Sequence, residues 1–172
     1  FGAVPFVALD GKPETLRAAL RYALYALLGS VFYLLGTVLL YGAYGTLDIA
    51  LLRELVRPEP VVLVAAALMT VGLLAKTALF PLHLWLPPAH GGAPPGLVIK
   101  GSWCLVVRLW FAVLPGVGTW SPAQLLAAFG AAAILVGNVV ALRQERLKLL
   151  VAYSTVAQIG YLFLMFPLAF DA

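Results

Sequence analysis

Lys76 stands in the apolar run VVLVAAALMTVGLLAKTALF, which ends at Pro81, and Lys100 stands in a second run, GLVIKGSWCLVVRLW. Lys76 lies roughly 22 Å along a helix begun near Val61, at about 1.5 Å per residue. In a hydrocarbon layer about 30 Å thick, that depth leaves the ammonium no easy reach to water. A charge there costs at least about 2.5 to 3.5 kcal/mol, and ionisable groups kept at such depth line ion or proton routes. Surroundings of low polarity disfavour the charged form of an amine, which lets a lysine so placed both take up and release a proton. Pro81 adds to this reading. It has no N–H and its ring collides with the carbonyl four residues earlier, that of Thr77, so the helix must kink or unwind between Thr77 and Pro81. Carbonyls freed at such a break carry negative partial charge and can hold an ammonium. The plainer alternative is a lysine paired only to backbone.

Lys100 shares a helix face with Cys104 and Arg108, but only about three residues separate it from the preceding loop, so a snorkelling interfacial lysine fits nearly as well as a relay lysine. Arg108 cannot cycle a proton and reads as a fixed charge. His83, just after Pro81, and His90, in the loop beyond, titrate near neutrality and are candidates to pass protons between the lysines and water. Neither has a second histidine or a carboxylate at ligand spacing, so no metal site is expected. The single cysteine, Cys104, excludes an internal disulfide and a thiolate cluster, and no redox cofactor is expected in this chain. Asn138, Ser154, Thr155 and Gln158 read as packing groups or as supports for a water chain, and the four tryptophans as interface anchors and packing. No Asp or Glu stands inside a complete apolar run, so Lys76, Lys100 and Arg108 need a counter-ion from another helix.

The elements that must position these residues are membrane helices. Of 172 residues, 63% are hydrophobic and 10% charged, too few charges to cover a surface in water. The formal charge of +4 is scattered over short connections, with no nucleic-acid arm. The reading is an all-α membrane protein with about five transmembrane helices, one of them broken by Pro81, plus a partial helix at residues 1 to 9. The spans run from about Leu16 to Tyr44, Val61 to Trp85, Leu97 to Leu114, Ser121 to Leu142 and Leu149 to Phe170. Gly45 to Pro60, with Leu47, Leu51, Leu52 and Leu55 at helical spacing among charges, predicts a short interfacial helix. Gly29 and Gly36, seven apart, mark a face where a second helix can come close. Alternating the connections puts 10–21 and 143–148 on one side with Lys12, Arg17, Arg21, Arg143, Arg146 and Lys148, which the positive-inside rule makes cytoplasmic.

GLLAKTALFPLHLWLPPAH (73–90), GLVIKGSWCLVVRLW (96–110) and ALRQERLKLLVAYSTVAQIGYLF (141–163), in that order, resemble the proton-conducting antiporter-like family. That family comprises membrane-arm subunits of respiratory NADH:quinone oxidoreductase, related membrane-bound hydrogenase subunits, and subunits A and D of multisubunit sodium/proton antiporters. The resemblance implies that Lys76 is the central lysine of the broken helix and Lys100 the bridging lysine of the next. It makes His83 and His90 the histidines of the PLHxWLPxAH motif. It places the partner glutamate on the helix before the Leu16–Tyr44 span, ahead of residue 1, so that residues 1–172 form one transmembrane domain, a fragment of a larger subunit. It implies other membrane subunits and the lipid bilayer as partners, a multi-pass place in the inner (cytoplasmic) membrane, and protons as the cargo, with sodium left open. Redox chemistry would belong to other subunits. Three positions depart from the family pattern. Pro94-Pro95-Gly96 runs almost directly into Leu97, a loss of about two helical turns or roughly 11 Å that would bring Lys100 toward the surface. Pro88 replaces a common aspartate, and Leu149 a frequent arginine. The expected function is therefore proton translocation through a lysine relay. The alternatives are a non-conducting structural or degenerate fragment and an unrelated substrate transporter.

Overall fold

The computed structural model describes residues 12–92, 100–114 and 120–170, nearly all of them helical. Helix α1 spans Pro13–Tyr44, opened by proline in its first turn and closed at Gly45, whose φ of 67° is open to a residue without a side chain. Its 32 residues extend about 48 Å, more than a bilayer core needs, so it tilts or its Arg17 and Arg21 turns stand outside. Helix α2, Ile49–Leu55, is the expected short element between spans; Asp48 caps it by accepting from the Ala50 N–H at 2.8 Å.

Helix α3, Pro60–Thr77, stops where Pro81 requires, with Ala78 in the left-handed region at φ 58°. A 3₁₀ turn at Leu82–Trp85 and helix α4, Leu86–Gly92, continue the same apolar span, which runs 30 residues from Pro60 to Ala89. Helix α5, Lys100–Arg108, passes into a π-helical turn at Leu109–Val113. Helices α6, Trp120–Leu142, and α7, Leu147–Phe170, complete the described chain.

Four of these helices are long and apolar enough to cross a membrane, while the one expected over Leu97–Leu114 is represented by a shorter apolar helix at Gly101–Val113. Residues 97–99 and the partial helix at 1–9 lie outside the described residues.

Two helix pairs make up the bundle, α1 against α3 and α6 against α7. Each is closed by reciprocal glycines. A methyl built on Gly29 would stand 2.7 Å from the Gly72 carbonyl oxygen, and one on Gly130 would stand 2.7 Å from that of Gly160. Backbones meet there because no side chain intervenes, which is how helices gain contact where lipid supplies no hydrophobic drive. Helix α4 packs against α1 on one side and α7 on the other, and α5 lies against α3.

Candidate functional site

The helix break builds the site. In an unbroken helix the Ala75 carbonyl would accept from the Leu79 N–H, but that N–H turns back to the Leu74 carbonyl at 3.3 Å. The freed Ala75 oxygen is taken by the Trp85 indole at 2.8 Å. Trp85 is buried and tilts against Tyr22 of α1, ring centres 5.1 Å apart. Thr77, also buried, donates its hydroxyl to the Leu73 carbonyl at 2.7 Å. One turn further back, the Trp110 indole of the π turn donates to the Thr70 hydroxyl at 3.1 Å, tying α3 to the chain beyond α5. Of the two roles expected for the tryptophans, Trp85 and Trp110 thus take packing, as interior braces. The usable signal for Trp85 was an indole four residues past a proline, within reach of a carbonyl freed where the helix breaks.

Lys76 occupies the last turn of α3, where the helix dipole favours a cation. It sits at mid-length of the Pro60–Ala89 span yet on the outer face of the bundle, exposed, while Leu73, Leu74, Ala75 and Thr77 turn inward. Depth along the span was legible; burial sideways was not, and within this chain the lysine is not buried. Its stem crosses Gly29, whose added methyl would come 3.3 Å from Lys76 Cγ. Among the described residues the ammonium has no hydrogen-bond or ion-pair partner. The expectation that freed carbonyls would hold it is not met at Ala75, because Trp85 occupies that oxygen.

His83 lies on the other side of the break, buried, stacked on Phe80 with ring centres 5.5 Å apart. Its Nδ1 has no hydrogen-bond partner among the described residues. Lys100 opens α5 and His90 belongs to α4, but the side chains of both lie outside the described residues. Cys104 and Arg108 do share an exposed face of α5. Asn138 and Gln158 are exposed, and the Thr155 hydroxyl bonds back to the Val151 carbonyl at 3.0 Å.

The family model described as NADH:quinone oxidoreductase/Mrp antiporter, TM, matches residues 4–171, nearly the whole chain. The chain belongs to that antiporter family. Among its relatives, NADH-quinone oxidoreductase subunit N of Desulforudis audaxviator is 38% identical over 94% of this chain and 34% of its own length. Subunit 14 of the Thermus thermophilus NADH-quinone oxidoreductase is 36% identical over 88% of this chain and 34% of its own. An archaeal membrane-bound sulfane sulfur reductase superposes with a TM-score of 0.88, at 32% identity, over 96% of this chain and 36% of the other. The Mrp complex of Dietzia sp. DQ12-45-1b gives a TM-score of 0.81 at 28% identity, over 91% and 30%. The antiporter-family chain thus spans about a third of the length of the relatives it matches. It is a multi-pass membrane protein whose relatives are subunits of multisubunit complexes.

Proposed function

We propose that this chain is the lysine-bearing segment of a proton-translocating membrane subunit, in a complex of the NADH:quinone oxidoreductase or multisubunit sodium/proton antiporter type. One observation carries the reading: a lysine at mid-span, in the last turn of a helix that stops at Thr77, faces out of the bundle with no partner among the described residues. A charge at that depth needs a partner or water, and a carboxylate on a helix packed over α3 would supply the one and hold the other. Lys76 then takes up and yields a proton as that carboxylate approaches or releases it, with Lys100, His83 and His90 as the further relay positions. Redox chemistry stays with other subunits. The end of the bundle bearing 10–21 and 143–148 faces the cytoplasm across an inner membrane, and residues 1–172 form one transmembrane domain of a longer subunit.

The test is proton translocation by the parent complex in sealed vesicles, at matched protein levels. Lys76→Ala abolishes most of the flux while electron transfer or sodium-driven exchange is assayed in parallel. Unchanged proton flux in Lys76→Ala would establish instead the non-conducting structural reading, which the short connection between His90 and Lys100 favours.

A further inference from the structure

At one end of the bundle the start of α1, helix α4 and the link between α6 and α7 surround two adjoining cavities of about 500 and 530 Å³. Pro88 and Leu149 line both. Arg146 and Lys148 rim the first, with Glu14 the acid in its lining. Arg21 rims the second, with Tyr25 and Leu84 among its walls. Three cations against one carboxylate leave an excess of two positive charges over an apolar floor. Each cavity has the size of a small-ligand site. A sugar phosphate would leave the apolar walls unused, and a zwitterionic lipid would bring its own ammonium against Arg146 and Lys148. A phosphate diester carrying hydrocarbon satisfies both halves of the lining, and basic pockets at the ends of membrane helices favour such headgroups.

We propose that this end of the bundle is a binding site for an anionic phospholipid, its phosphate held between Arg21 and the Arg146–Lys148 pair and its acyl chains lying along Leu84 and Leu149. Since α4 packs against both α1 and α7, a lipid seated here fastens the two glycine-closed helix pairs to one another.

The site is tested by native mass spectrometry of the full protein in neutral detergent, titrated separately with phosphatidylglycerol, phosphatidylcholine and inorganic phosphate. Phosphatidylglycerol is expected to bind in preference to phosphatidylcholine, and phosphate alone not to displace it. At about fivefold per cation, Arg146→Gln/Lys148→Gln should weaken phosphatidylglycerol binding about twenty-fivefold. The charge-matched pair Arg53→Gln/Arg57→Gln, on α2 and just beyond it, should leave it unchanged. Arg21→Gln, read in the same titration, guards against a misfolded double variant and should weaken binding about fivefold. Equal binding of the two lipids, equal effects of the two pairs, or displacement of the lipid by phosphate would each overturn the proposal.

Discussion

Lys76 and Lys100 hold different places along their helices, and on the proposed reading that difference sets what each substitution should do. Lys76 is at mid-span with its stem lying over Gly29, a depth at which, on the proposed reading, water would not substitute for it. Lys100 opens α5, and the shortened connection expected before it from the sequence would bring it toward water. In the parent complex Lys76→Ala should lower proton translocation at least about tenfold, and Lys100→Ala by much less. A loss as large at Lys100 would mean that it still reaches the polar interior. Trp85 offers a second check. Trp85→Phe keeps the ring beside Tyr22 but removes the N–H that satisfies the Ala75 carbonyl, at a cost of about 1 to 3 kcal/mol for a buried acceptor left alone. Thermal unfolding in detergent reads this directly, and an unchanged midpoint would show that the indole only fills space.

The elements carry their own predictions through the glycine seams. A methyl on Gly72 would stand 2.5 Å from the Gly29 carbonyl oxygen and 2.8 Å from the Tyr33 nitrogen, both backbone, so α1 and α3 must part. Gly72→Ala should destabilise by about 1 to 3 kcal/mol. Gly42→Ala, on the same α1 with nothing within 4 Å, should instead be neutral or stabilising by up to about 1 kcal/mol. The opposite signs separate packing from propensity. Much of this level was legible beforehand: the Leu47, Leu51, Leu52 and Leu55 spacing gives the short helix between spans, Pro81 ends a helix, and Gly29 and Gly36 mark a contact face. The seam between α6 and α7 was missed, although Gly130 and Gly137 repeat the seven-residue spacing of Gly29 and Gly36. The partner glycines Gly72 and Gly160 stand alone in their helices and betray nothing by period. The π turn at Leu109–Val113 has no sequence marker either; it carries the Trp110 indole that donates to Thr70. Which way a residue of an all-apolar helix faces is invisible when both faces are apolar, and so Lys76 could be placed in depth but not in azimuth.

For the molecule as a whole, the two cavities place the start of α1 and the α6–α7 link at one end, as the charge pattern requires. In a Cys104→Ser background, a membrane-impermeant maleimide added outside intact cells should label Glu54→Cys and spare Arg17→Cys and Arg143→Cys. In inverted vesicles the pattern should reverse, and labelling of Arg17→Cys and Glu54→Cys from the same side would refute the topology.

The outward face of Lys76 also bears on how the protein is made. A newly inserted bundle can close its glycine seams at once, yet it would present the Lys76 ammonium to hydrocarbon at a cost of at least about 2.5 to 3.5 kcal/mol. Whichever segment covers that lysine is held by the relief of the same cost. On that reading biogenesis should be ordered: an uncovered bundle would stay adhesive, and open to membrane proteases, until its neighbour arrives. Replacement by leucine would remove that urgency, leaving orphan chains that persist in a pulse-chase while contributing nothing to turnover.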